Sequence, residues 1–378
     1  MSAGTPGSPD PVEGWRAFPR STVSLPRPVM DAFEAFLKQR HPKATPRRID
    51  AATADLSEAF TEARGSLPGS YLNQPAVRSA YLAHFHPQQV LKGIAALGEV
   101  YARASARKLW PQRPEGALRV ADLGAGLGAM SQALLCRLAR GDAPTSWPEF
   151  VLVDHQKSAL SDARELTVAV ASAMAPDLPA PRVRTAVERL DRWVSRASRS
   201  GWRYDVILLG AVLNEIQGDW QPLFASILEL LDEGGVVVVV EPALLETSRK
   251  LMELREFAKD VGTSIAPCTH DAACPLLATR KDWCFTVRRA VFPRAVGRRA
   301  AQMGHQSAEV RFALWAFRPG ERAEVRVADP PARVVSDPVL RANTREQLLC
   351  TADGTVRVPP LRAARRGDLA GPAGVAGD

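Results

Sequence analysis

Val120-Ala-Asp122-Leu-Gly124-Ala-Gly126-Leu-Gly128 is the stretch whose reading decides the fold. The apolar run Leu118–Leu123 reads as a short strand, the alternating glycines as a tight turn, and Met130–Arg140 as the helix that follows. Glycine lets the backbone turn sharply and lets a ligand approach it closely. The helix amino end that comes next favours negative or polar acceptor groups. A strand, a glycine turn and a helix form the opening unit of a parallel α/β sheet with a nucleotide-like ligand at its edge. On its own the pattern is ambiguous, because Gly124-x-Gly126-x-x-Ala129 also fits the dinucleotide fingerprint.

Context moves the reading from NAD to S-adenosylmethionine. Asp122 stands two residues before the first glycine, where an anion can serve the methionine ammonium. Asp154 ends the second strand, Phe150–Asp154, where a carboxylate can take both ribose hydroxyls. Charge-assisted bonds of this kind contribute about 1.5–3 kcal/mol each. The helix Ser158–Ala173, a third strand at Arg182–Val187, the strand Tyr204–Gly210, the helix Trp220–Leu231 and the strand Val236–Glu241 after Gly234-Gly235 continue the rhythm. Strand–helix alternation at this spacing means a parallel sheet with helices on both faces. Tyr204–Gly210, Leu230–Gly235 and Val236–Glu241 resemble the later strands of class I methyltransferases, so the expected fold is α/β, a class I S-adenosylmethionine-dependent methyltransferase-like (Rossmann-like) sheet with an N-terminal helical region and a cysteine-rich metal-binding insertion.

The 378 residues then divide as follows. Residues 1–28, rich in Pro, Gly and Ser, read as a disordered arm. Residues 29–112 form a helical region, with stripes at Val29–Leu37, Thr53–Arg64 and Val90–Leu109, broken around Tyr71–Pro75 and Tyr81–Pro87. There His84 and His86 read as turn or core residues. Residues 113–263 are the cofactor-binding core, 264–290 the cysteine segment, and 291–362 C-terminal strands that complete the sheet and the cysteine site. Those strands are read at Val310–Phe317, Glu324–Val327 and a hairpin, Gln347–Thr351 with Thr355–Val358, turning at Asp353-Gly354. Residues 363–378 read as a loose tail.

The acceptor side is marked by what it lacks. After the fourth strand an amino-group methylase carries an Asn/Asp-Pro-Pro-aromatic clamp; here the sequence is Gly210-Ala-Val-Leu-Asn214-Glu215. Asn214 and Glu215 are the candidate catalytic residues, placed to read a substrate edge or, equally, to cap the next helix. A cytosine C5 methylase needs a cysteine nucleophile near the fourth or fifth strand. Cys136 lies instead in the helix after the glycine loop and reads as core packing.

The other four cysteines cluster late, at Cys268, Cys274, Cys284 and Cys350. Five residues separate the first pair and nine the second. Zinc knuckles use two to four between paired ligands. Irregular all-thiolate spacing fits an iron–sulfur cluster better, with zinc as the alternative and buried or reactive thiols as the reading without metal. His270 could substitute as a ligand, though a satisfied polar residue or an RNA contact fits it better.

At these residues the chain resembles a known family. The glycine loop, Asn214-Glu215, Glu241, Arg255, Ala266-Pro-Cys-Thr-His270, Cys274-Pro-Leu276, Asp282-Trp-Cys284 and Cys350-Thr-Ala-Asp-Gly354 look like the methyltransferase-like assembly proteins of the small ribosomal subunit, found in mitochondria and bacteria. The match runs over about residues 70–360. It implies a class I fold, S-adenosylmethionine held by Asp122, Gly124, Gly126, Gly128 and Asp154, and a [4Fe–4S] cluster on Cys268, Cys274, Cys284 and Cys350. It also implies a partner, the small ribosomal subunit with its 16S rRNA. Departures are Phe285, where the family often has His after Trp-Cys, and Leu127, where it tends to have Pro between glycines.

The formal charge of +8 favours a polyanionic partner, nucleic acid before a membrane surface. Arg280, Lys281, Arg288, Arg289, Arg294, Arg298 and Arg299 flank the cysteines and are the RNA-binding candidates. With few aromatics among them, backbone and shape contacts are expected rather than base stacking. No secretory signal or membrane-length apolar run is read, and the odd cysteine count points to a reducing compartment, the cytoplasm. The protein is expected to be a monomer away from the ribosome. Three functions fit: an rRNA methyltransferase, a non-catalytic assembly factor on the same fold, and a zinc-containing small-molecule methyltransferase.

Overall fold

The computed structural model describes residues 14–18, 20–61, 70–113, 115–140, 145–213, 216, 218–304, 308–320, 331–341 and 343–372. From the amino end run β1 (Trp15–Phe18), β2 (Val23–Ser24), α1 (Arg27–Arg40), α2 (Pro46–Thr61), α3 (Pro75–Ala80) and α4 (His86–Ala106). The central block is β3 (Arg119–Leu123), α5 (Ala129–Leu138), β4 (Glu149–Asp154), α6 (Lys157–Met174), β5 (Val183–Val187), α7 (Leu190–Arg199), β6 (Tyr204–Gly210), α8 (Gln221–Glu229), β7 (Leu231–Pro242), α9 (Leu245–Ala258) and β8 (Gly262–Ala266). Then come β9 (Thr286–Val291), α10 (Arg294–Gln302), β10 (Glu309–Pro319), β11 (Ala332–Val334), β12 (Val339–Arg341), β13 (Thr344–Thr351), β14 (Gly354–Val358) and β15 (Leu369–Pro372).

The main sheet has the order β2-β9-β10-β7-β6-β3-β4-β5, with β8 also on β10. Strands β5, β4, β3, β6 and β7 are mutually parallel. β10 enters antiparallel beside β7. A parallel Rossmann-like run closed by one antiparallel strand is the class I methyltransferase sheet. Strand order reverses between β3 and β6, and in open α/β sheets ligands sit outside the carboxyl ends of the strands at such a point.

Burial explains the strand sequences. Val236–Val239 of β7 are fully buried, as a central parallel strand covered on both faces requires. One face packs against α1, α4, α5 and α6. The other packs against α7, α8 and α9 around Trp193, Phe224 and Trp315. No helix among the described residues is long and apolar enough to cross a membrane.

Three expectations change. The helices do not break at Tyr81–Pro87: a π-helical stretch, Tyr81–Phe85, carries α3 into α4, with a proline in the first turn of α4. The widened turn accommodates Pro87, which has no N–H to donate. His84 and His86 are buried there. The arm and tail also meet, because β1 pairs with β15 across nearly the whole chain. They belong to a second sheet, β1-β15-β11-β13-β12 with β14 on β13. The hairpin of β13 and β14 forms as read, whereas 324–327 lies outside the described residues. Helices α7, α9 and α10 and strands β8 and β9 had not been expected.

One buried ionic knot ties the two sheets together. Glu99 of α4 accepts from Arg333 of β11 at 2.8 Å and from Arg288 of β9 at 3.0 Å. Arg20, from the arm, stands 3.5 Å away. Burial opposes the carboxylate charge, but Arg20, Arg333, Arg288 and Arg103 outweigh it and hold Glu99 well below the usual carboxylate range.

Candidate functional site

The glycine loop sits at the carboxyl end of β3, and all three glycines have positive φ. Gly124 is the most constrained: at φ +70°, a Cβ there would stand 2.6 Å from Val212 Cγ2. Gly126 instead faces open space, with only Leu72 within 4.0 Å of such a Cβ. The loop borders a cavity of about 100 Å³ that also receives Asp122, Asp154, Gln156, Glu241 and, from α4, His86, Gln89 and Lys92.

Asp122 is buried and accepts from Ser131 N at 3.0 Å and Ser131 Oγ at 2.7 Å. Burial pushes its carboxyl up to about 6; the Ser131 bonds oppose this and the nearby Asp154 charge adds to it. No Lys or Arg pairs with it among the described residues, so a ligand ammonium would relieve the buried charge. Asp154 is held by two backbone N–H groups. Its Oδ2 accepts from Gly126 N at 2.9 Å and its Oδ1 from Gln156 N at 2.9 Å. His155 Nδ1 also lies 3.4 Å from Oδ1, so Oδ2, which accepts from Gly126 alone among the described residues, is the oxygen with room for a hydroxyl, since a carboxylate has about four lone-pair sites.

The far wall comes from the N-terminal helices. Gln156 Oε1 accepts from Leu72 N at 2.8 Å, fastening the Tyr71–Asn73 turn over the loop. His86 Nε2 lies 2.7 Å from Gln132 Oε1, and burial lowers its pKa to about 4, so the ring is neutral at physiological pH. Burial also lowers Lys92 to about 8. Gln89 and Lys92 were missed by sequence reading. Their signal was a polar stripe at three-residue spacing, His86-Gln89-Lys92, along the first two turns of α4.

The candidates Asn214 and Glu215 lie outside the described residues. The chain just before them bends around buried Glu241, whose Oε1 accepts from Val212 N and Leu213 N, each at 2.8 Å.

The four late cysteines meet. Cys268 follows β8, Cys274 and Cys284 lie on the loop before β9, and Cys350 is on β13; all four line one cavity of about 40 Å³ with His270 and Arg255. His270 Nε2 is 3.3 Å from Cys350 Sγ. Glu256 accepts from Cys274 N at 2.9 Å, and Arg103 donates to the Pro267 and Cys268 carbonyls at 2.9 and 2.6 Å. Burial and then the neighbouring thiols push Cys274 up to about 11 and raise Cys350 as well. Around them, Arg333 is held above its ordinary value: burial opposes its charge, but Glu99, Cys284 and Cys268 prevail. Arg255 keeps a buried Nε–H without an acceptor among the described residues. Four soft donors ringed by guanidinium groups fit a thiolate-bound group of net negative charge. Among the described residues, no set of three or more His, Cys, Asp or Glu is arranged to hold a metal ion. Cys136 is buried in α5, where burial pushes its thiol up to about 12, as a core cysteine should be.

The RNA-binding candidates divide. Arg280, Lys281, Arg289, Arg294 and Arg298 are exposed. Arg288 and Arg299 are buried and must be withdrawn from that set. Arg288 serves Glu99 and Asp368, while Arg299 pairs with Asp50 at 2.8 Å and donates to the Ala83 carbonyl. Buried guanidiniums persist only where carboxylates neutralise them.

Comparison with curated proteins finds no match. Among solved structures, similarity reaches a carbon methyltransferase, CurJ, at 16% identity, TM-score 0.39, covering 77% of this chain and 71% of that one. An S-adenosylmethionine-dependent methyltransferase from Agrobacterium tumefaciens shows 14% identity and TM-score 0.36, covering 59% of this chain. The chain spans only 62% of that relative's length. The plantazolicin methyltransferase BpumL, solved with S-adenosylhomocysteine, shows 12% identity and TM-score 0.35, covering 78% of this chain and 99% of that one. A family model matches residues 144–369, which include all four late cysteines, and the chain belongs to the family it describes, mitochondrial small ribosomal subunit Rsm22.

Proposed function

We propose that the protein binds S-adenosylmethionine and a four-cysteine [4Fe–4S] cluster and methylates RNA of the small ribosomal subunit. The observation that carries the reading is the convergence of Cys268, Cys274, Cys284 and Cys350, remote in sequence, on one cavity beside a methyltransferase-type sheet.

In this reading Asp122 meets the methionine ammonium, Asp154 takes ribose hydroxyls, and the Gly124–Gly128 turn leaves the backbone open to the ligand. The sulfonium is already activated, so the chain mainly holds the acceptor in line with the methyl group. Asn214 and Glu215, which follow Leu213 in the sequence, are our candidates for reading the acceptor. The cysteine-bound group would cross-link the loop before β9 to β13 and so hold the second sheet on the first. The exposed Arg280, Lys281, Arg289, Arg294 and Arg298 would neutralise phosphates. Free thiols persist in a reducing compartment, and the cytoplasm is our reading of it.

A second reading, a non-catalytic assembly factor, is favoured by one feature: the turn after β6 lacks an acceptor clamp and spends its N–H groups on Glu241. Both readings share a test. Anaerobically purified protein should carry about four irons with matching sulfide, and Cys350→Ser should lose them. It should also bind S-adenosylhomocysteine in a calorimetric titration. Zinc or no metal would overturn the cluster, and silence in calorimetry would overturn the cofactor.

A further inference from the structure

More than half of the chain's net charge sits in one short segment far from the cysteines. Residues 182–203 hold seven arginines and two carboxylates, a net of five positive charges against +8 overall. The structure folds this segment into β5, the edge strand of the main sheet, and α7. Helix α7 buries Trp193, Val194 and Ala197 and turns its arginines outward. Three arginines are matched: Arg182 to Glu149, Arg189 to Asp191 and Arg196 to Glu188. Arg184, Arg192, Arg199 and Arg203 are exposed and have no ion pair among the described residues.

Two of these four, Arg184 and Arg203, line a trench of about 450 Å³ at the amino ends of β3, β4 and β6, together with Arg119, Glu149, Arg196 and Trp202. Trp202 is 39% exposed, unusual for so large an apolar ring. It is not loose: the Arg196 guanidinium lies 5.0 Å from its ring centre, and buried Trp193 lies 6.2 Å away. A fixed, half-open indole in an arginine-lined trench is how proteins hold single-stranded nucleic acid, by stacking bases and tracking phosphates.

We propose that this trench is a second RNA site, taking a single-stranded segment with one base on Trp202 and phosphates on Arg184 and Arg203. Its position defines its role. Gly124 and Asp154 are at the carboxyl ends of β3 and β4, whereas the trench is at their amino ends. RNA held there is out of reach of the cofactor cavity, so the site anchors a substrate and does not present an acceptor. Neither the cofactor nor the cluster is needed for it.

The test is fluorescence anisotropy of a labelled 12-nucleotide single-stranded RNA with the full chain, over a range of salt. An Arg280→Gln/Lys281→Gln background keeps the other basic face from masking the effect. Trp202→Ala should weaken binding about 5- to 150-fold, the loss of one stacked base, with the salt slope unchanged. Arg184→Gln/Arg203→Gln should lower the log–log salt slope by about 1.4, the loss of two phosphate contacts on a single strand. Both variants should keep the melting temperature and S-adenosylhomocysteine binding. Should Trp202→Ala melt early, the surface arginine pair decides alone. Wild-type affinity and slope in the arginine pair overturns the proposal. So does an intact Trp202→Ala variant that binds normally while polyglutamate displaces the RNA, because the trench would then be a non-selective basic patch.

Discussion

Asp122 makes the cofactor site sensitive to pH in a way that can be calculated. Its carboxyl is buried and pushed up to about 6. The native state therefore holds its proton more tightly than the unfolded chain, and stability falls as pH rises from about 4 to about 6. The penalty above pH 6 is about 3 kcal/mol at about 1.4 kcal/mol per unit. A bound ammonium reverses the sign, because it favours the ionised form. S-adenosylhomocysteine, whose amine stays protonated throughout this range, should thus bind about tenfold more weakly at pH 5 than at pH 7.5. Asp122→Asn keeps an acceptor for Ser131 but loses the charge. It should bind the ligand more weakly at pH 7.5 and show no slope between pH 5 and 7.5. Calorimetric titration at three pH values measures both. Equal affinity of the wild type at pH 5 and 7.5, or wild-type affinity in Asp122→Asn at pH 7.5, would refute the placement of the ammonium at Asp122.

Glu99→Gln leaves Arg333 without its buried carboxylate and Arg288 with Asp368 alone, and denaturant unfolding should show a loss of about 3–5 kcal/mol; a loss under about 1 kcal/mol would mean that the knot is not what joins the sheets. Gly124→Ala places a methyl 2.6 Å from Val212 in a left-handed residue. It should cost at least about 1–2 kcal/mol and abolish S-adenosylhomocysteine binding, and normal binding would contradict the loop geometry. Restoring the charge at Arg288 with lysine should not restore stability to an Arg288→Ala variant, because one ammonium cannot reach both Glu99 and Asp368 as the guanidinium fork does. Full recovery of the melting temperature would refute that role.

The parts legible in the sequence were those written locally. The glycine turn after β3, the valine run of β7 and the hairpin at Asp353-Gly354 are each set by neighbours in the chain. So was the carboxylate ending β4, although its oxygens are shared with two backbone N–H groups. The cysteines were visible as a set, but their meeting needed β13 folded back on the loop before β9. What escaped depends on distant partners. Arg288 and Arg299 look like their exposed neighbours until Glu99, Asp368 and Asp50 come alongside. The arm looked disordered because Trp15–Phe18 has no partner until Leu369–Pro372 arrives. The π-helical stretch was hidden because proline usually ends a helix, and the polar stripe of α4 because the apolar stripe around it reads as core.

The most direct test of the account is methyl transfer itself. Anaerobically purified protein would be mixed with radiolabelled S-adenosylmethionine and small ribosomal subunits from a strain lacking the gene. The account predicts label in the 16S rRNA, lost with Asp154→Ala, at a nucleotide that can then be mapped. Absence of label, with cofactor and subunit both shown to be bound, would contradict methyl transfer and leave the assembly-factor reading in its place.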